Sequence, residues 1–166
     1  DGRVYRVVTI GTQTWLGENL KYETPSAGSS ICYDNNDNNC ETYGRLYNFE
    51  AAEVACPSGW HLASDEEWKT LERFLGIPES ELDDLGGRGT DEGAELVNGI
   101  FKAEKGGAQS TGGNFTALNV RANFWTSTSD PENNTEVFYR RVDDVGDIFR
   151  TTAPKTLKIC VRCLKN

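Results

Sequence analysis

Hydrophobic and polar positions repeat with a clear period in only a few stretches of the chain, and those stretches define its expected elements. Val4–Ile10 is β-branched and weakly alternating, and Gly11-Thr12 then turns the chain into Gln13–Leu16, which predicts a hairpin. Lys21–Asn39 has no period; Pro25, Gly28 and the run Asp34-Asn35-Asn36-Asp37-Asn38-Asn39 predict a loop. Asn48–Ala55 sets Phe49, Ala52 and Ala55 on one face, the spacing of a short helix. A second helix follows Ser64. Ser64 and Glu67 have the spacing of a capping box, Asp65 and Glu66 suit the positive end of the helix dipole, and Gly76 supplies the stop. Trp68, Leu71, Phe74 and Leu75 form one stripe on this helix, expected to face a core.

Beyond Gly76 the pattern thins. Gly76–Gly113 is rich in glycine and predicts long loops, with one short helix near Glu92–Asn98. Four β-rich runs follow at Asn123–Ser127, Glu136–Val142, Asp147–Thr152 and Ile159–Leu164. Turn chemistry separates the middle ones, at Pro131-Glu132-Asn133-Asn134 and Asp143-Asp144-Val145-Gly146. Helices early and an antiparallel meander late read as an α+β fold, and 166 residues without a repeat read as one domain over 1–166.

Charge narrows the choice of partner. The net charge of −9 repels polyanions, so nucleic acid and anionic membrane surfaces are excluded as expected partners. No apolar run is long enough to insert this domain in a bilayer. The chain opens at Asp1 and contains no Met, which reads as a processed or trimmed chain whose signal peptide or lipid anchor has been removed. Cys32, Cys40, Cys56, Cys160 and Cys163 lack zinc spacing, and the lone His61 completes no metal set. Two disulfides and a spare thiol are the simplest arithmetic for an exported protein; a reduced, buried set is the alternative. Cys32 and Cys40 close a short polar loop, Cys56 with Cys163 would tie the first helix to the last strand, and Cys160 is then left over.

One stretch carries a resemblance. At CPSGWHLASDEEWKTLERFLG the sequence resembles the Fibrobacter succinogenes major paralogous domain, common in exported and surface proteins. Other segments of that family follow the same order: VYRVVTIGTQTWLGENL, CYDNNDNNCETYGRLYNFEAA, FWTSTS and VRCLKN. More distantly, the helices with their Leu-x-Ser-x-Glu-Glu-Trp core look like C-type-lectin-like and formylglycine-generating-enzyme folds. That likeness implies two helices packed on a twisted antiparallel sheet with long loops, termini that meet in a strand pair, and a helix-to-last-strand link that supports Cys56–Cys163.

Candidate sites follow from chemistry. Asp34, Asn36 and Asp37 offer hard oxygen ligands in the Cys32–Cys40 loop, as calcium requires, although without EF-hand spacing; a solvated turn is the plainer reading. The Glu-Pro-Asn triplet and Trp-Asn-Asp strand of a calcium–sugar site are absent. In the late sheet, alternation puts Phe138 and Arg140 on one face and Tyr139 and Arg141 on the other. Trp125, Tyr139 and Arg141, with Glu132, Asn133, Asp143 and Asp144 in the turns, are the candidate ligand contacts, with Trp125 and Phe138 equally readable as core. His61 is expected to be structural. The expected function is a non-enzymatic exported or cell-surface domain that binds a glycan or a protein, with a structural role in a surface assembly such as a pilus tip as the alternative. A formylglycine-generating oxidase would have to use Cys160 and Cys163, which strand geometry sends to opposite faces.

Overall fold

The computed structural model describes residues 2–26, 29–144 and 146–166, so Gly28 of the expected loop and Val145 of the expected turn lie outside the described residues. The hairpin forms as β1 (Val7–Ile10) and β2 (Gln13–Leu16), joined by a two-residue turn with Gly11 at φ 57°. After β3 (Ser30–Ile31) the Asn-rich run departs from expectation. It is not all loop: Asp37–Tyr43 is helix α1, because the Asn36 side chain accepts the backbone N–H of Asn38 and so caps it. Then come β4 (Leu46–Tyr47), α2 (Phe49–Ala55, capped by Asn48), β5 (Trp60–Leu62) and α3 (Asp65–Leu75). The glycine-rich region contains β6 (Gly86–Arg88), α4 (Glu92–Asn98), β7 (Ala108–Gln109) and β8 (Phe115–Thr116). The chain ends in β9 (Ala122–Ser129), β10 (Glu136–Val142), β11 (Ile148–Pro154) and β12 (Cys163–Lys165).

Among the described residues the four helices pack with antiparallel sheets, which makes the fold α+β. One sheet has the order β1-β2-β12-β5 and so draws strands from both ends of the chain; the other, β6-β11-β10-β9, is the late meander. The expected Ile159–Leu164 strand is mostly a connector. Only Cys163–Lys165 joins a ladder, while Ile159 and Cys160 make single bridges to Tyr47 and Phe124.

Two groups of buried side chains fill the spaces between these layers. In the first, Trp15 and Trp68 lie 5.2 Å apart and Trp68 stacks on Phe124 at 5.5 Å. In the second, Phe49 and Ala52 of α2 meet Trp125, Val137 and Val161. Large aromatic rings in offset or edge contacts contribute about 0.5–1.5 kcal/mol per pair beyond the area they bury. The α3 stripe is only partly core: Trp68 and Leu71 are fully buried, but Phe74 at the last turn is 62% exposed.

Charged side chains also cross the interior. Asp65 receives Arg140 at 2.7 Å and Arg150 at 2.8 Å, and Glu72 receives Arg88 at 2.9 Å and the Nε of Arg140. All five are buried, so the pairs bind α3 to β6, β10 and β11. Arg162 is buried too. Its guanidinium donates to Glu104 at 2.7 Å, to Asn19 and to the carbonyls of Leu16, Phe101 and Lys102, and lies 4.3 Å from the Phe101 ring centroid.

Candidate functional site

The ligand contacts expected from the sequence do not converge. Trp125 is wholly buried, donates its indole N–H to the Tyr47 carbonyl at 2.8 Å and packs edge-on to Phe49, so it is a core residue and not a surface contact. Its neighbour Tyr139 is half-buried, 6.2 Å from the Trp125 ring, and burial pushes its phenol pKa up. Arg141 lies over the Phe149 ring at 3.7 Å. Glu132 and Asn133 sit in the β9–β10 turn, where the Asn133 side chain accepts from Thr135. Asp143 and Asp144 lie beyond the opposite end of β10, with Asp144 held by Lys105 at 2.8 Å. A strand of this length separates the two turns by about 20 Å or more.

The metal candidates lie in the span closed by Cys32 and Cys40. Asp34 lies in a left-handed position at φ 53°, Asn36 caps α1, and Asp37 stands in the first helical turn. Among the described residues no group of three or more His, Cys, Asp and Glu side chains is arranged to hold a metal ion. Both expected disulfides are present, Cys32–Cys40 and Cys56–Cys163. Cys163 is therefore not a partner thiol for Cys160. Burial pushes the Cys160 pKa up to about 12, which keeps it protonated. His61 bonds Glu67 at 2.9 Å and Asn166 at 2.8 Å, with Ser64 donating to the same Glu67 carboxylate, so both ring nitrogens are engaged in structure.

A cleft lies elsewhere, between the first residues of the chain and the end of α2. It holds about 320 Å³ and is lined by Arg3, Tyr5, Leu20 and Tyr22 on one side and by residues 54–57 on the other. Each wall has a local cause. Phe49, Ala51, Ala52 and Ala55 turn α2 inward, which leaves Val54 outward and 75% exposed. Pro57 follows immediately after the helix, and the Cys56–Cys163 bridge fixes the helix end to β12.

The opposite wall is an irregular segment held by hydrogen bonds. Leu20 donates its N–H to the Val161 carbonyl at 3.0 Å, and the Tyr47 hydroxyl donates to the Tyr22 carbonyl at 2.6 Å. The Tyr5 phenol accepts the N–H of Lys21 at 3.0 Å, and burial raises its pKa. Arg3 donates to both Glu41 oxygens, at 2.8 and 3.1 Å, which leaves the rim close to neutral. Two half-buried phenol rings, an exposed aliphatic and a paired guanidinium make a surface for stacking and hydrogen bonding.

Sequence reasoning missed this cleft because residues 3–22 and 54–57 share no motif. The one available signal was Val54, an apolar residue on the solvent side of α2. No helix among the described residues is long and apolar enough to cross a membrane. A model of the Fibrobacter succinogenes major domain matches residues 8–165. No curated protein and no solved structure matches the chain.

Proposed function

We propose that this chain, which belongs to the Fibrobacter succinogenes major domain family, is an exported or cell-surface binding domain without catalytic chemistry, built on a C-type-lectin-like scaffold. The architectural part of this reading is supported by helices packed with antiparallel sheets and by a sheet that unites β1 and β2 with β12. Two disulfides favour an oxidising compartment. The protonated thiol of Cys160 and the fully engaged His61 favour binding over catalysis.

The observation that carries the proposal is the cleft of Tyr5, Tyr22 and Val54, its wall fixed by Cys56–Cys163. Phenol faces beside a neutralised Arg suit the flat face of a sugar ring, so a glycan is the favoured ligand and a protein loop the other class to screen. Glycan arrays and pull-down from surface extracts test it, with the oxidised protein run in calcium and in chelator. Binding is expected to fall at least about tenfold in Tyr22→Ala and in Val54→Arg, with circular dichroism and thermal unfolding checking that each variant is folded, because Tyr22 also packs against the second core. Retention of nothing by folded protein, or equal retention by both variants, would sink the reading. Loss in chelator alone would direct attention to Asp34, Asn36 and Asp37. The outer edge of β1 supports a second reading, as a structural component of a surface assembly.

A further inference from the structure

On the other side of the hairpin, the structure leaves an apolar trough open. Ile10, Phe74, Leu75, Ile100 and Phe101 line its narrow end, and it widens over Phe74 and Leu75 towards Asp91, Glu92 and Glu95. Phe74 is 62% exposed and Ile100 55% exposed, an unusual cost for two large apolar residues this close together. Ile10, the last residue of β1, forms part of its wall. Arg6 at one end of the strand reaches the Ile100 carbonyl at 3.2 Å, and Gly11 at the other end lies so close to Phe74 that a Cβ would come within 2.8 Å of its ring.

The acidic rim is uncompensated. Among the described residues no cation pairs with Asp91, Glu92 or Glu95; Glu92 accepts the backbone N–H groups of Thr90 and Asp91, and Asp91 and Glu95 stay exposed. By contrast, Glu18, Glu23, Glu41, Glu79 and Asp144 each hold a Lys or Arg. Arg6, which reaches the Ile100 carbonyl at the narrow end, is occupied by the Gly17 and Ile100 carbonyls.

The strand beside the trough is also unpaired on its outer side. β1 is the last strand of its sheet, and residues 7–10 make no backbone hydrogen bond to any described element except β2. Because Ile10 and Gln13 flank the two-residue turn, Val7 and Thr9 fall in the wide pairs and direct their N–H and C=O groups away from β2.

We infer that this face binds an extended peptide segment that pairs with the outer edge of β1, sets aliphatic side chains against Phe74 and Ile100, and presents Lys or Arg to Asp91 and Glu95. Main-chain bonds to an edge strand supply affinity in this mode, and the flanking pockets and charges supply selectivity. The rim's negative charge selects a basic segment. It also disfavours a second copy of this chain, whose net charge is −9. The site is separate from the cleft at Tyr5 and Tyr22, so failure of glycan binding leaves this inference standing.

Fluorescence anisotropy with a labelled short peptide of alternating valine and lysine is the direct test, with valine–glutamate and serine–lysine peptides as controls. The valine–lysine peptide should bind at least about tenfold more tightly than either control. Phe74→Ser, Glu95→Lys and Thr9→Pro should each reduce its affinity by a similar factor, the last by removing an edge N–H that β2 does not use. Circular dichroism and thermal unfolding of each variant separate lost binding from lost folding. Equal binding of the valine–lysine and serine–lysine peptides would reduce the site to bulk charge and overturn the inference. So would unchanged affinity in folded Phe74→Ser. Sedimentation showing a dimer that Phe74→Ser dissolves would assign the face to a second copy and also overturn it.

Discussion

Asp65 shows how far a residue's role can depart from its local context. In sequence it is an acidic residue in the first turn of a helix, suited to the dipole. In the fold it is the buried acceptor for Arg140 and Arg150, which arrive from 75 and 85 residues away. Burial works to raise the Asp65 pKa, but the two guanidiniums outweigh it and hold the carboxyl well below the usual carboxylate range. Asp65→Asn leaves three buried cations short of an anion, Arg140, Arg150 and Lys69 at 3.3 Å, and should cost about 3–5 kcal/mol in urea unfolding at neutral pH. Because the folded carboxyl titrates below its unfolded value, its contribution is fully present above about pH 4 and is lost as the pH falls towards the folded value. The wild type should therefore lose stability more steeply than Asp65→Asn below about pH 4, and parallel acid limbs would refute the assignment. Trp125 illustrates the reverse problem. The β-rich run placed it correctly in a strand, but period 2 does not reveal that β9 is covered on both faces, with Phe124 in the first core and Trp125 in the second.

At the scale of elements, legibility followed the strength of local chemistry. The structure contains the full capping box: Ser64 accepts the Glu67 N–H at 3.2 Å, and Glu67 accepts the Ser64 N–H at 2.7 Å. Ser64→Ala removes one half of it and should lower stability by about 1 kcal/mol, visible as a drop of a few degrees in thermal midpoint. An unchanged midpoint would show that the Ser64 hydroxyl does not contribute to the cap. The hairpin, the short helix at 92–98 and the meander were equally readable from turn residues and periodicity. Helix α1 was not, because Asn-rich sequence favours loops and caps alike, and only the bridge between Cys32 and Cys40 and the Asn36 cap decide between them. Phe74 belongs to the same helical stripe as Trp68, yet the stripe outruns the core by one turn. Periodicity gives the direction of a side chain and not the extent of the layer it meets.

At the scale of the molecule, the cleft and the trough arise from segments that touch only after folding, which is why no motif announced either. The two disulfides illustrate the same scale. Cys32–Cys40 spans 8 positions and Cys56–Cys163 spans 107, so the second restrains far more of the unfolded chain. Replacing Cys56 and Cys163 together by Ser should cost about 2–5 kcal/mol in chemical denaturation, more than the same change at Cys32 and Cys40. An equal or smaller loss would argue that the long bridge restrains little. That bridge also determines how the domain answers to mechanical load. Tension applied between the two ends of the oxidised chain passes along residues before Cys56, across the sulfur–sulfur bond and out through β12. The 107-position span behind the bridge carries none of that tension, so about two-thirds of a 166-residue chain is withheld from stretching. A domain strung between a surface and a distant ligand would then behave as a short tether with a hard stop, and reduction of one bond would lengthen it.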